Sequence, residues 1–170
     1  LAGCFVANPS DIIAAVATRM ATVAAVGNVH QRHVLFHDEA AARAALAYTV
    51  PGGSDYAGQV VSRAWFIYIE RTDDAVLDTA SYRHRIDYYV VIRGFHGVMD
   101  GATPKSEVVF RDLVEAVMQA LRADLTIGAT VSIAEPPQAR SHGHAVAGNI
   151  LCHAADLVIR ATRYPLIAPI

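Results

Sequence analysis

Two runs of strand-forming residues dominate the hydrophobic pattern of this sequence. Residues 60–71 include the run Trp-Phe-Ile-Tyr-Ile, and residues 82–95 include the run Tyr-Tyr-Val-Val-Ile. β-Branched and aromatic side chains favour strands, and the segment 72–81 that separates the two runs is polar. The pattern therefore predicts a long antiparallel strand pair with its tip near Asp73 and Asp74.

Three other segments carry helix signals. Residues 8–26 begin with Asn8, which can cap a helix, and with a proline at the first helical position. Residues 39–48 are rich in alanine and follow Asp38, a second capping residue, and residues 106–124 have the clearest apolar stripe at a 3.6-residue period. We expect two main helices and a weaker one.

Shorter strand signals occupy residues 29–36, 129–134 and 148–163, and residues 135–144 form a polar segment that begins at a Pro-Pro pair. The order of elements is α-β-(α)-β-β-α-β-β, without an internal repeat. We therefore predict a single domain over residues 1–170. Its fold class is α+β, with a mostly antiparallel sheet of long strands flanked by two main helices.

The composition narrows the class of protein. Hydrophobic residues make up 54% of the chain and charged residues 18%, with a mean hydropathy of +0.30. No apolar run is long enough to span a membrane, and the N-terminal residues lack the basic start of a signal peptide. We expect a protein of the cytoplasm in which two distant cysteines stay reduced. Apolar surplus and long strands together favour self-assembly.

The formal net charge of −2 and a pI near 6.5 disfavour tight nucleic-acid binding, which draws its affinity from contacts to phosphates. Asp73, Asp74 and Asp78 do not form an EF-hand pattern, and the glycines of residues 94–101 match neither a phosphate-binding loop nor a dinucleotide fingerprint. The sequence therefore predicts no cofactor and no phosphate site.

His142, His144, Cys152 and His153 lie close together along the chain. A zinc site needs three or four converging ligands, and a catalytic cysteine needs a base within hydrogen-bond reach. Cys152 and His153 are neighbours in a predicted strand, so their side chains point to opposite faces and cannot pair. We interpret residues 141–144 as a polar loop and Cys152 as a small buried residue, and we expect neither a catalytic nor a metal site.

Several segments together resemble the tail terminator proteins of tailed bacteriophages, which belong to the neck that joins head and tail. The resemblance covers residues 60–164 and is carried by residues 65–71 (WFIYIER), 91–97 (VIRGFHG), 110–117 (FRDLVEAV), 121–124 (LRAD) and 148–159 (GNILCHAADLVI). The N-terminal helix fits the opening element of that family, and residues 38–58 have no counterpart in it. The matching segments are structural motifs. None of them is a catalytic signature, because the family has none.

This resemblance implies a structural virion protein that is not an enzyme and is assembled in the host cytoplasm. Subunits of this type form a homohexameric ring that caps the finished tail tube, ends tube polymerisation and docks to the head connector. The expected partners are further copies of the chain, the tail tube protein and the connector protein, and DNA passes through the lumen without sequence-specific binding. No membrane is involved.

Three segments are plausible contacts to these partners: the expected hairpin tip, the loop after the Pro-Pro pair, and an extended C-terminal tail. Their candidate interface residues are Asp73, Asp74, Pro136, Pro137, Arg140, His142, His144, Pro165 and Ile170.

Other functions stay open at this point. Within the same class, the chain could be a head-completion or tail-completion protein in an adjacent ring of the neck. From a different class, it could be a small metal-dependent enzyme that uses His142, His144, His153 and His96 as ligands. A small-molecule-binding regulatory domain is a third reading, for which the sequence offers no pocket.

Overall fold

The computed structural model describes residues 8–33, 36–78, 83–99, 101 and 104–165. Its helices are α1 (Pro9–Met20), α2 (Glu39–Leu46) and α3 (Ser106–Arg122). Its strands are β1 (Asn28–His30), β2 (Ala47–Thr49), β3 (Val60–Asp78), β4 (Arg83–Gly97), β5 (Ile133–Ala134), β6 (Gln138–Ala147) and β7 (Ile150–Arg163). Among the described residues, no helix is both long and apolar enough to cross a bilayer.

Three long antiparallel strands, in the order β3, β4 and β7, form the centre of the sheet. On the outer edge of β3, β1 pairs in parallel and β2 pairs antiparallel. On the outer edge of β7, β5 and β6 both pair antiparallel. The predicted sheet of long, mostly antiparallel strands is therefore confirmed, and the described helices number three: α1, α3 and the shorter α2.

The two faces of the sheet are covered differently. We call the face that carries α1 and α3 the helix face; its core contains Trp65, Ile92, Leu157 and Phe110, all fully buried. A smaller cluster on the opposite face includes Leu46 of α2 with residues of β3, β4 and β7. Side chains alternate between faces along a strand, so each central strand contributes to both layers.

Local signals in the sequence explain the helix starts. The backbone N–H of Asn8 donates to Asp11 Oδ2 at 2.6 Å, which is half of a capping box at the start of α1. The carboxylate of Asp38 accepts a hydrogen bond of 2.7 Å from the N–H of Ala41 and caps α2. The first and second helices therefore begin where the sequence predicts, and α3 begins at Ser106 as expected.

The predicted end of the first helix, near residue 26, was wrong. α1 ends at Met20, because the backbone after it is held by side chains of β3. The carbonyl of Ala25 accepts from Arg63 Nη1 at 2.8 Å, and the carbonyl of Val26 accepts from Trp65 Nε1 at 2.8 Å. These contacts are distant in sequence, so helical periodicity alone does not reveal them.

The predicted hairpin tip was also misplaced. Asp73 and Asp74 lie inside β3, opposite Asp87 and Ile86 of β4, and β3 continues to Asp78. The ladder passes through the polar segment because β4 supplies partners along its whole length. The connection between Asp78 and Arg83 lies outside the described residues.

The segment predicted as a polar loop, residues 135–144, is largely strand. β6 begins at Gln138 and pairs with β7 through a two-residue connection, Gly148-Asn149, which Ala147 and Ile150 flank. Both connecting residues have positive φ, +52° and +69°, as type I′ hairpin turns require. This glycine–asparagine pair is the signal in the sequence that identifies the hairpin.

Two shorter strand predictions were too long. The strand expected at 129–134 reduces to β5, because Asp124 organises the preceding turn by accepting from the backbone of Thr126 and Gly128 at 2.9 and 2.8 Å. The strand expected at 29–36 reduces to β1, and residues 34 and 35 lie outside the described part of the chain.

Gly94 of β4 leaves room for the indole of Trp65 on the neighbouring strand β3, which gives a direct test of the packing. A Cβ added there would lie 2.5 Å from the buried indole of Trp65. We expect Gly94→Ala to lower the free energy of unfolding by about 1–3 kcal/mol, the usual cost of overpacking. Urea denaturation measures the change. Gly143→Ala is the matched control, since nothing lies within 4 Å of its added Cβ, and an equal loss there would contradict this assignment.

Candidate functional site: a histidine row and two open sheet edges

Four polar side chains lie side by side across four neighbouring strands on the helix face. Arg63 of β3 is directly opposite His96 of β4, His96 is opposite His153 of β7, and His153 is opposite His144 of β6. We call these four residues the histidine row. The row exists because the register of three strand pairs aligns residues that are far apart in the sequence.

The row passes from the core to the surface. His96 is fully buried, Arg63 and His153 are 2% and 5% exposed, and His144 is exposed. The ring centroids of His96 and His153 are 6.5 Å apart, and those of His153 and His144 are 4.9 Å apart. Phe110 of α3 stacks on His96 and on His153 with centroid distances of 6.2 Å, so one aromatic ring covers the buried part of the row.

His153 is held by the start of α3. The hydroxyl of Ser106 lies 3.0 Å from His153 Nε2 and accepts a hydrogen bond of 3.0 Å from the N–H of Met99. Because the hydroxyl oxygen already accepts from Met99, its own proton can be donated to His153 Nε2. This arrangement joins β7, α3 and the end of β4 at one buried serine.

Arg63 anchors the connection that follows α1. Its Nε lies 3.4 Å from His96 Nδ1, and Gly27, at a φ of +102°, packs so closely that an added Cβ would lie 2.7 Å from Arg63 Cγ. Burial lowers the pKa of Arg63, and its guanidinium lines a surface cavity of about 330 Å³ beside Asp55 and Asp112. Within the described residues, Arg63 Nη2 has no hydrogen-bond partner.

His96 is a neutral side chain in the folded protein at ordinary pH. Burial is the main cause, and with the neighbouring Arg63 and His153 it lowers the pKa of His96 to about 3. A ring with so low a pKa cannot act as a general base of useful strength near pH 7. Its role is to fill the core between Arg63 and Phe110.

The residues considered as metal ligands come only partly together. His142 and His144 share the helix face with His153, but His142 packs on Phe110 at a centroid distance of 5.7 Å. In the described part of the chain, no group of three or more histidine, cysteine, aspartate or glutamate side chains is placed to hold a metal ion.

Cys152 is a buried residue of the opposite face, as the sequence predicts. It is fully buried in the smaller apolar cluster with Phe66 and Phe95, and burial raises the pKa of its thiol to about 11. It points away from His153, so the adjacent pair cannot work as nucleophile and base. A thiol with this pKa is almost entirely protonated near pH 7 and is a poor nucleophile.

The opposite face carries ion pairs that the sequence analysis did not identify. Arg93 and Asp156 form two hydrogen bonds of 2.7 and 2.8 Å, and Asp87 accepts from Arg160 and Thr162 at 2.7 Å each. The guanidinium of Arg93 holds the pKa of Asp156 below its usual range. These charges are neutralised within the chain, and only strand register brings them together.

The candidate interface residues fall into several environments. Asp73 and Asp74 are exposed on β3, where Asp73 lies 3.0 Å from Arg71 and Asp74 lies 3.1 Å from His84. His142 and His144 are exposed on β6, whereas Arg140, at a β-bulge, forms a bidentate pair with Glu70 at 2.7 and 2.8 Å.

The prolines differ among themselves. Pro136 is exposed and Pro137 is buried before β6. Pro165 is half-buried, and its carbonyl lies 3.5 Å from the N–H of His84. Ile170 lies outside the described residues.

Two edges of the sheet are open in the described structure. β6 pairs with β7 on one side only, and its outer edge faces no other described strand over residues 138–147. β3 carries β2 and β1 on its outer edge as far as Phe66, and no described strand pairs with that edge beyond this point. An open edge presents unpaired backbone donors and acceptors to any chain that approaches.

The comparisons with known proteins do not identify a family. No family model matches the chain, and no curated protein matches it.

Acid should destabilise the fold through His96. Unfolding returns its pKa to about 6.5, so between about pH 6.5 and 3 the unfolded chain binds a proton that the folded chain does not. The free energy of unfolding then falls as the pH falls, by up to about 1.4 kcal/mol per pH unit. We expect His96→Gln, which keeps an acceptor for Arg63, to flatten this dependence in urea titrations between pH 7 and pH 5.

The matched control is His37→Gln, at an exposed position. This variant should keep the acid dependence of the unmodified chain. An unchanged slope in His96→Gln would show that other groups cause the acid sensitivity.

Proposed function

We propose that this chain is a structural, non-catalytic virion protein of the tail terminator type, which forms a ring at the end of the phage tail tube. The observation that supports this most is the pair of open edges at opposite ends of one sheet. A subunit with two different open edges can add copies head to tail, and such contacts close into a ring when the rotation between copies allows it.

The exposed arm of the sheet gives further support. All residues from Glu70 to Leu77 in β3 are exposed, and they include Val76 and Leu77 at 56% and 51%. Large apolar side chains on an extended strand suit a contact with a neighbouring subunit. In this proposal the ring faces the tail tube on one side and the head connector on the other.

The net charge fits a ring through which DNA passes. With a formal net charge of −2, the chain lacks the basic surplus of proteins that hold DNA through phosphate contacts. An adjacent ring of the neck, formed by a head-completion or tail-completion protein, would use the same features. Assembly in the host cytoplasm and residence in the virion neck belong to the same proposal.

A native mass spectrum of the purified chain, with negative-stain images of the same sample, tests the ring. We expect a complex of six copies of the 18.2 kDa chain without bound metal, seen as a closed ring with a central opening. A species that stays monomeric at every concentration would contradict the proposal, and one metal ion per chain would favour the enzyme instead.

The second test asks whether the ring stops polymerisation of the tail tube. Tube protein from the same genome is polymerised with and without the chain, and tube lengths are measured in micrographs. We expect shorter tubes that end in an added ring, because a bound ring blocks the growing end. An unrelated protein of similar charge is the control, and unchanged tube lengths would argue against a terminator and for another ring of the neck.

A further inference from the structure

We propose that copies of the chain join by pairing the outer edge of β6 in one copy with the outer edge of β3 in the next, in a single register that places His144 opposite Asp74. This inference rests on the proposed function, because it names the seam between the subunits of the ring. The partner is a second copy of this chain.

The two edges lack the usual protection against pairing. Natural edge strands are often blocked by proline or by lysine, and neither residue occurs in residues 71–76 or 141–147. The amides of these two segments that point away from β4 and β7 can therefore donate to a new strand. Residues 141–147 also carry no aspartate, glutamate or arginine. Water and a strand from another copy compete for these backbone groups.

The direction of the strands permits the contact. β3, β4, β7 and β6 alternate in direction because each neighbouring pair is antiparallel. β3 and β6 therefore run in opposite directions within one copy. When a second copy is placed beside the first with its helices on the same face, its β3 meets β6 as an antiparallel partner. This contact is head to tail, as ring formation requires.

The β-bulges define the register. Shifts in pairing occur between Ile69 and Arg71, between Val76 and Asp78, and between Ala139 and Ser141, so the regular stretches are residues 71–76 and 141–147. Only two alignments place all of the shorter stretch against the longer one. A shift by one residue moves every side chain to the other face, so only one of the two keeps the helices of both copies on the same face.

In that register the helix-face pairs between copies are Asp74 with His144, Val76 with His142 and Thr72 with Val146. Directly opposite side chains have Cβ atoms about 4.5–5.5 Å apart, close enough for a carboxylate–imidazole hydrogen bond. Asp74 Oδ1 already lies 3.1 Å from His84 Nδ1 within the chain, so the oxygen proposed to accept from His144 of the next copy is Oδ2. Val76 and Val146, which are 56% and 68% exposed in the single chain, become covered. On the other face, Asp73 meets Ala145 and Ala75 meets Gly143.

Two-fold alternatives are less favourable. Pairing β3 with β3 would bring the acidic positions 73 and 74 of both copies together, and like charges on opposed strands destabilise a pair. Pairing β6 with β6 would leave the exposed apolar side chains of β3 uncovered. The head-to-tail seam is the arrangement that joins an acidic edge to an imidazole-bearing edge.

Cysteine cross-linking tests the register. Antiparallel partners place Cα atoms about 4.5–5.5 Å apart, within the range of a disulfide. In a Cys4→Ser background, we expect the double variant Ala75→Cys with Gly143→Cys to form covalent multimers under mild oxidation, seen on non-reducing gels. The matched control, Ala75→Cys with Ala139→Cys, is four residues out of register and should stay uncross-linked. A dimer formed by Gly143→Cys alone would show two-fold β6 pairing and overturn the proposal.

Charge substitutions test the chemistry of the seam. We expect Asp74→Lys to raise the dissociation constant for assembly by at least about tenfold in sedimentation experiments, because a lysine cannot accept from His144 of the next copy. Asp73→Lys is the matched control, since its predicted neighbour is Ala145, and it should change assembly by less than about threefold. Adding His144→Glu to Asp74→Lys should restore assembly. Equal effects of the two lysine variants would overturn the register.

The outcomes separate this seam from the proposed function. Closed rings that show no cross-link between positions 75 and 143 would reject the seam and leave the ring protein standing. Cross-linked open filaments without closed rings would support the seam and reject the tail terminator. Circular dichroism of each variant checks that its subunit is folded. Restored assembly in the double variant Asp74→Lys with His144→Glu would also show that Asp74→Lys does not act by unfolding the subunit.

Discussion

The packing of Trp65 against Gly94 is the contact on which the rest of the fold depends. The indole is fully buried, its ring lies over Gly94 of β4, which has no side chain, and its Nε1 donates to the carbonyl of Val26. Phe110 stacks on it from α3 at a centroid distance of 6.0 Å. One side chain therefore joins two central strands, the connection after α1 and the main helix. A larger residue at position 94 would separate all four.

The histidine row lies beside this contact and has a structural character in its buried part. Arg63 holds the chain after α1, Ser106 holds His153, and Phe110 covers both buried rings. The hydrogen bonding is incomplete, because Arg63 Nη2 and His96 Nε2 are buried without a hydrogen-bond partner among the described residues, which has a cost in stability. The row leaves the core at His144, which is exposed on β6, a strand whose outer edge has no described partner. The same ladder of residues thus stabilises the subunit at one end and offers a polar contact at the other.

Most charged side chains on the opposite face of the sheet are paired within the chain, so we place the contact sites at the sheet edges. On the opposite face, Arg93 with Asp156 and Arg140 with Glu70 satisfy one another within the chain. Charges that are already paired offer little to a partner, because a new contact must first replace the old one. Backbone groups on the outer edge of β6, and on that of β3 beyond Phe66, have no partner strand among the described residues.

The sequence by itself determined the helix starts, the existence of the three central strands and the burial of Cys152, because capping residues, β-branched runs and strand alternation act locally. Tertiary structure decided the rest. The end of α1 depends on carbonyls bound by Arg63 and Trp65, and the continuation of β3 through Asp73 and Asp74 depends on its ladder with β4. Residues 138–144 became a strand through pairing with β7. The histidine row depends on register. The Gly148-Asn149 turn sets the register of β6 with β7 locally, whereas the register of β3 with β4 and of β4 with β7 comes from pairing between distant segments.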